Sequence, residues 1–182
     1  FLSRIINKGV YLNGKFLENF EKEFSKKIKV KYCLGVSSGT DAIHIALKSL
    51  NLKNGDEIIV PSHTATASIS AIVSSGAVPV FADITSEFNV DPKSVINLIS
   101  KKTKAILAVH LYGLMADINK LIQISNNYKL YLIEDCAQSC GSRFKSKYAG
   151  SYGIISCFSF YPSKNLSTIG DSGAILTNNK NF

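Results

Sequence analysis

Lys164 is the residue of this 182-residue sequence that raises the first chemical question. It follows the apolar run Ile154 to Phe160, which predicts a buried strand, and it precedes turn residues such as Gly170. A lysine here either points to solvent from an exposed turn or lies in a pocket. In a pocket, desolvation favours the neutral amine, which is the nucleophilic form that a Schiff-base lysine needs.

Asp135 ends a second apolar segment, "LYLIED". A carboxylate at the end of a buried strand must find a cation or several hydrogen-bond donors, because its burial is otherwise costly. Two interpretations are open. Asp135 either caps a helix that begins at Cys136 or holds a protonated ring nitrogen.

The turn Ser38-Gly39-Thr40 opens a predicted helix, "SSGTDAIHIALKSL". The backbone N–H groups and a hydroxyl at such a helix start, assisted by the helix dipole, can hold a phosphate. Serine and threonine are also common as ordinary helix caps, so this turn has two interpretations as well.

These features are more informative together. Gln138 lies close behind Asp135, and Ser159 ends the strand before Lys164. A phosphate cradle, a strand-end acid and a nearby lysine describe a pyridoxal phosphate site, because that cofactor needs a Schiff-base lysine and an acid against its pyridinium nitrogen. The sequence contains neither GxxxxGK[ST] nor GxGxxG, the fingerprints of other nucleotide sites.

Strands alternate with helices along the chain, and the strands are almost continuously apolar, which predicts an α/β fold. We expect a three-layer α/β/α sandwich with a mostly parallel central sheet. Ligands of such sheets lie beyond the carboxyl ends of the strands. The polar segments at those ends are 37–40, 61–64, 110–113, 134–138 and 159–165.

Composition narrows the classes of partner. The net charge of +8 favours anionic partners. Only Arg4 and Arg143 are arginines, however, and base-specific recognition of nucleic acid relies on arginine, so the sequence offers little for it. No apolar stretch approaches the roughly 20 residues needed to cross a bilayer, and we see no signal peptide. We therefore expect neither a nucleic-acid nor a membrane partner.

Four cysteines lie in or beside apolar segments and form no CxxC pair. This pattern indicates reduced, buried thiols in a cytoplasmic protein and no metal site.

The sequence resembles the DegT/DnrJ/StrS nucleotide-sugar aminotransferases, a family of fold type I pyridoxal phosphate enzymes. The resemblance covers almost the whole chain and is carried by many motifs in order: "SSGTDAIHIAL", "GDEIIVPSHT", "GAVPVFADI", "VHLYG", "IEDCAQSCG" and "FSFYPSKNLSTIGDSGAI". A further match surrounds Ser151 and Gly153.

The resemblance implies a role for each candidate residue. Lys164 would be the catalytic lysine that binds pyridoxal 5'-phosphate, Asp135 would face the pyridine nitrogen, and Gln138 would lie beside the ring hydroxyl. The phosphate would be held by Gly39, Thr40, Asp41 and Ser159. Relatives with dehydratase activity carry histidine at the lysine position, so Lys164 indicates a transaminase.

The resemblance also implies a reaction and an assembly. An amino acid, usually glutamate, would donate an amino group to a nucleotide-linked keto-sugar in amino-sugar and glycan biosynthesis, and the enzyme would be a homodimer. Relatives are about twice as long. We therefore expect residues 1–182 to be a single cofactor-binding large domain, truncated before a C-terminal small domain.

The sequence departs from the family at Ala65, where many relatives place an aromatic residue that stacks on the cofactor ring. His63 is our candidate substitute for that contact. His110 and Tyr112 end a strand and can face the pocket, although we expect Tyr112 to serve packing.

Two other classes of function compete with an aminotransferase. A non-catalytic, cofactor-binding or regulatory fragment is favoured by the missing C-terminal portion. A basic nucleic-acid-binding domain is disfavoured by the scarcity of arginine and of aromatic residues among the lysines.

Overall fold

A computed structural model describes residues 2–9 and 13–182 of the chain, so Phe1, where the predicted domain begins, lies outside the described residues. The helices are Leu2–Lys8 (α1), Lys15–Ile28 (α2), Gly39–Ser49 (α3), Thr66–Ser75 (α4), Pro92–Leu98 (α5) and Ile118–Tyr128 (α6). The strands are Tyr32–Val36 (β1), Glu57–Pro61 (β2), Val78–Ala82 (β3), Thr103–Val109 (β4), Tyr131–Asp135 (β5), Arg143–Phe144 (β6), Lys147–Tyr148 (β7), Ile155–Ser159 (β8) and Gly173–Thr177 (β9).

Helix starts follow the local signals in the sequence. Asp91 caps α5 by accepting a hydrogen bond from the N–H of Lys93, and Pro92 occupies the first turn, as predicted. Asp117 caps α6 in the same manner through the N–H of Lys120. The alternation of strands and helices therefore appears where the sequence places it.

Seven strands form the central sheet in the order β1-β9-β8-β5-β4-β2-β3. Only β9 runs against its neighbours; β3, β2, β4, β5 and β8 pair in parallel. Strands β6 and β7 form a separate two-stranded hairpin. Because the parallel strands share a direction, their carboxyl ends meet along one edge of the sheet, which we call the active edge.

Helices cover both faces of the sheet. In β4, Ala105, Leu107 and Val109 pack with α3 and α4, whereas Ile106 and Ala108 pack with α5 and α6. This alternation follows from the two-residue period of a strand. The predicted three-layer α/β/α sandwich with a mostly parallel sheet is confirmed.

Helix α2 adds a further packing unit beside β8 and β9. Its Phe24 contacts Phe158 edge to face with ring centroids 5.0 Å apart, and Phe160 packs against the same ring at 5.4 Å. Such edge-to-face pairs add stability beyond the area they bury. The cluster fixes β8, which leads into the segment that carries Lys164.

Candidate active site

The amino end of α3 lies at the active edge with unused donors. Ser38 caps the helix: its Oγ accepts a hydrogen bond of 3.0 Å from the N–H of Asp41, and its carbonyl accepts one from Ala42. The first N–H groups of a helix have no partner within the helix, so those of Gly39 and Thr40 point outward as donors. This arrangement can bind an anion.

Asp41 forms hydrogen bonds within the turn itself. Its N–H is occupied by the Ser38 hydroxyl, and its carboxylate accepts hydrogen bonds from the hydroxyls of Ser37 and Ser38. These bonds, from Ser37 first and Ser38 second, hold the pKa of Asp41 below its usual range. Asp41 therefore organises the turn from inside, and a phosphate could use its N–H only by displacing Ser38.

Ser159, at the end of β8, packs directly against the start of α3. A Cβ atom added to Gly39 would lie 2.6 Å from the Cβ of Ser159 and 3.2 Å from its Oγ. Only glycine allows this approach of helix and strand. The contact brings the Ser159 hydroxyl, which is largely buried, beside the outward N–H groups of Gly39 and Thr40. We call these three residues the cradle.

Asp135 is buried at the end of β5, the strand next to β8 in the sheet. Its Oδ2 accepts a hydrogen bond of 2.9 Å from the Oγ of Ser68, and its Oδ1 accepts one of 3.0 Å from the N–H of Ala137. Burial raises the pKa of Asp135 despite these two bonds and despite the opposing positive charge of Lys164. The charged form of this carboxylate is therefore only partly stabilised by its two hydrogen bonds.

One of the two interpretations of Asp135 is wrong. No helix begins at Cys136; the chain turns there, and the N–H of Ser139 returns to the carbonyl of Cys136. The bond from Ala137 resembles a helix cap, but it closes a turn that directs the chain towards Gln138.

Lys164 is half-buried in the loop that follows β8, and this loop folds back towards the end of β8. Its N–H donates to the carbonyl of Tyr161 at 2.8 Å, and both the N–H and the Oγ1 of Thr168 donate to the carbonyl of Phe160. These bonds close the loop at its base. The ammonium group is near enough to Asp135 for its charge to lower the pKa of that acid.

The two remaining candidates lie further along the active edge. Gln138 is half-buried, and its Oε1 accepts a hydrogen bond of 2.9 Å from the N–H of Tyr112. His63 is exposed, and its Nε2 lies 3.1 Å from the Oη of Tyr112. Tyr112 itself is 67% exposed, so the expectation that it serves core packing is wrong. Ala65 is exposed at the start of α4.

Two functional contributions were missed from the sequence. Ser68 lies in the small-residue helix α4, where nothing distinguishes it from neighbouring serines until the fold brings it to Asp135. Glu134 precedes Asp135 in the same strand and turns to the opposite face of the sheet. The motif around Ser151 and Gly153 is the sequence feature that could have indicated the role of Glu134.

Glu134 is the centre of a buried hydrogen-bond network. Its oxygens accept bonds from the N–H groups of Gly150, Tyr152 and Gly153 at 2.6–2.8 Å and from His110 Nε2 at 3.0 Å. Burial raises the pKa of Glu134, but the bonds from His110 and the backbone outweigh it, so the pKa lies below its usual value.

His110 is oriented in this network by two hydrogen bonds. Its Nδ1 accepts a hydrogen bond of 3.2 Å from the N–H of Ala116, so the ring proton is on Nε2 and points to Glu134. Cys136 approaches the same two side chains, with the three potential ligand atoms within 4.8 Å of one another. The carboxylate oxygens of Glu134 and the ring nitrogens of His110 already form hydrogen bonds. The three residues therefore serve as a structural network.

The structure thus places every predicted site residue at the active edge. Gly39, Thr40, Asp41 and Ser159 lie at one end, Asp135 and Lys164 follow, and Gln138 and His63 lie beyond them. Among the described residues, no helix is long and apolar enough to cross a bilayer.

Comparison with known proteins gives a consistent result. The sequence profile of the DegT/DnrJ/EryC1/StrS aminotransferase family matches residues 2–182. The chain is 43% identical to GDP-perosamine synthase of Vibrio cholerae over 180 residues, which are 98% of this chain and 49% of that protein. It is 41% identical to 3-oxo-glucose-6-phosphate:glutamate aminotransferase of Bacillus subtilis over 98% of this chain and 40% of that protein.

A solved structure matches as well. The crystal structure of NtdA from Bacillus subtilis with bound cofactor PMP superimposes with a TM-score of 0.94 and 40% identity, over 99% of this chain and 41% of that one. The chain therefore spans about half the length, or somewhat less, of the relatives it matches.

Proposed function

Since the chain belongs to the DegT/DnrJ/EryC1/StrS aminotransferase family, we propose that it is the cofactor-binding part of a pyridoxal phosphate-dependent nucleotide-sugar aminotransferase. The observation that supports this most is the position of the buried Asp135 and of Lys164 at the active edge, beside the cradle. Residues 1–182 form the large domain in this proposal, and a C-terminal small domain follows them.

The cradle fits the phosphate of the cofactor. Two outward N–H groups, the hydroxyls of Thr40 and Ser159 and the positive end of the α3 dipole suit a phosphate dianion. A side chain at Gly39 would fill this space. Asp41 takes part by holding the turn in shape or, after displacement of Ser38, by lending its N–H.

Asp135 fits a protonated pyridine nitrogen. Its carboxylate is buried, has only two donors among the described residues, and is raised in pKa, so a cationic N–H would satisfy it. Gln138 would contact the ring hydroxyl in this proposal. His63, exposed near Ala65, is our proposed ring contact in place of the aromatic residue that Ala65 does not supply.

Bound pyridoxal phosphate supplies an electron sink for carbanion chemistry. The protein's own contributions are then distinct. Lys164 provides the amine that anchors the cofactor and later moves a proton as base and acid. Asp135 supplies the negative charge that would face the protonated ring nitrogen, and Ser68 holds Asp135 in place.

The names of two relatives support the substrates in this proposal. GDP-perosamine synthase and 3-oxo-glucose-6-phosphate:glutamate aminotransferase are consistent with glutamate as amino donor and a nucleotide-linked keto-sugar as acceptor, in amino-sugar and glycan biosynthesis. Transfer releases 2-oxoglutarate and leaves the amino group on the sugar.

We further propose a homodimer. The loop around Lys164 exposes Tyr161, Leu166 and Ile169, the last of them 88% exposed, and a second copy is the partner that would cover them. Analytical ultracentrifugation of Ile169→Asp tests this proposal, because a dimer sealed by this loop should dissociate. The free thiols of all four cysteines support a cytoplasmic location.

The central experiment is cofactor binding. Protein mixed with pyridoxal phosphate should turn yellow, and borohydride should remove the colour and leave the label on Lys164. Lys164→Ala should abolish both results, whereas Lys147→Ala, an exposed lysine of β7, should change neither. Unchanged colour in Lys164→Ala would overturn the catalytic assignment.

A second measurement separates an enzyme from a non-catalytic cofactor-binding protein. The full-length product should release one 2-oxoglutarate for each bound cofactor when glutamate is added without an acceptor. Colour on Lys164 without this release would favour the non-catalytic alternative.

A further inference from the structure

Three adjacent strands are each followed by an aromatic residue at the active edge. His63 follows β2, Phe88 follows β3 and Tyr112 follows β4. Their ring centroids lie 5.8 Å apart for His63 and Phe88, and 6.1 Å apart for each of the other two pairs. We call these three residues the aromatic corner.

The corner is unusual in its exposure and its backbone. Phe88 and Tyr112 are 51% and 67% exposed, so little burial energy favours their position. Both have positive φ angles, 64° and 54°, which bulky side chains rarely adopt. Such strain persists where the surroundings enforce it, and it clusters at ligand-binding sites.

Specific hydrogen bonds enforce these conformations. The N–H of Phe88 donates to the carbonyl of Thr85 at 2.9 Å, which closes a tight turn. The N–H of Tyr112 donates to the Oε1 of Gln138 at 2.9 Å, and its hydroxyl lies 3.1 Å from the Nε2 of His63. The backbones of both residues and the ring of Tyr112 are therefore held in defined positions.

The same bonds connect the corner to the proposed cofactor site. Gln138 follows Asp135 by three residues and fixes the backbone of Tyr112. In the sheet, β4 and β2 lie on the side of β5 opposite to β8 and the cradle. The corner thus borders Asp135 on the side away from the phosphate end.

We propose that the aromatic corner binds the pyranose ring of the amino acceptor, an inference that rests on the proposed function. A pyranose presents apolar C–H faces and hydroxyl edges, which suit aromatic faces beside the Tyr112 hydroxyl and the His63 nitrogen. The rings meet at interplanar angles of 48°, 52° and 84°, so they enclose a non-planar ring. A flat nucleobase would instead need a parallel stacking surface.

Calorimetric titration of the full-length holoprotein tests this assignment with GDP-mannose and dTDP-glucose, each compared with GDP or dTDP alone. The affinity gained from the sugar should fall about 3- to 10-fold in Tyr112→Ala and in Phe88→Leu, in line with the loss of one aromatic contact. Tyr112→Phe keeps the ring and should keep most of the gain. Tyr128→Ala, at a tyrosine that is also exposed and lies at the far end of α6, should behave as the unaltered protein.

Three results would overturn the inference. They are an equal loss of affinity for GDP and dTDP alone, no sugar-dependent gain in the unaltered protein, or a changed oligomeric state in the variants, which would mean that protein covers the corner. The yellow colour with pyridoxal phosphate is measured in the same samples. Its absence from the unaltered protein would reject the proposed function instead, whereas colour without a sugar effect rejects only the aromatic corner.

Discussion

The hydroxyl of Ser68 donates a hydrogen bond of 2.9 Å to the buried carboxylate of Asp135, although the two residues lie 67 positions apart. The bond ties α4 to the end of β5. It also offsets part of the free-energy cost of burying this carboxylate. Burial nevertheless raises the pKa of Asp135. The acid on which the proposed chemistry depends is therefore held by a serine in a different layer.

Ser68→Ala should weaken the binding of pyridoxal phosphate by about 10- to 150-fold, because loss of one hydrogen bond to a charged group is worth about 1.5–3 kcal/mol. Absorbance titration measures this change. Ser75→Ala is the matched control, since Ser75 is also buried in α4 but donates only to the carbonyl of Ile72 in its own helix. Equal effects of the two variants would contradict a specific role for Ser68.

Asp135→Asn should stabilise the cofactor-free protein at neutral pH, because it removes a buried charge that burial disfavours. The raised pKa of Asp135 means that its ionisation opposes folding, and this loss of stability develops as the pH rises above about 4, the pKa of the unfolded acid. Asparagine removes the charge and can still accept from Ala137. Urea unfolding from pH 4 to 8 should show the variant gaining stability over the unaltered protein as the pH rises, while its cofactor binding is lost.

Glu134→Gln should have the opposite effect and destabilise the protein by about 3–5 kcal/mol. The amide would place N–H donors against the backbone donors of Gly150 and Gly153. Because the pKa of Glu134 is lowered, its stabilisation is present above about pH 4 and disappears as the pH falls through the folded-state pKa. Glu57→Gln, at a partly exposed acid, is the control; a comparable loss there would show that the effect is unspecific.

Gly39→Ala should lower both stability and cofactor affinity, because the added Cβ would lie 2.6 Å from the Cβ of Ser159. Overpacking of this kind costs about 1–3 kcal/mol. Thr40→Ala at the next position removes a hydroxyl and a methyl group without adding an atom that could clash, so it should weaken cofactor binding with little change in thermal unfolding. A fully stable Gly39→Ala protein with normal affinity would contradict the cradle geometry.

The four thiols should react slowly with a thiol reagent in the folded protein and promptly after unfolding. Burial raises the pKa of Cys33 to about 12 and raises those of Cys136 and Cys157 well above the usual value, so little thiolate is present. Burial also raises the pKa of Cys140. A colorimetric thiol assay with and without urea measures both rates, and one rapidly reacting thiol in the folded state would contradict this account.

Much of the site was predictable because local patterns specify it. The cap at Ser38, the helix start at Asp91 and the strand that ends in Asp135 all follow from neighbouring residues. The polar residues at strand ends could be placed at one edge because parallel strands share a direction. Of the two interpretations of Asp135 that the sequence left open, a helix start at Cys136 is absent, since the chain turns there towards Gln138.

The sequence alone determined which elements form and which side chains reach the active edge, because periodicity, caps and turns are properties of short segments. Only the tertiary structure decided which side chains meet. The insertion of β9 between β1 and β8, the bond from Ser68 to Asp135, the network around Glu134 and the aromatic corner all join residues far apart in the chain. Their contacts depend on how the layers pack, and no local pattern records that packing.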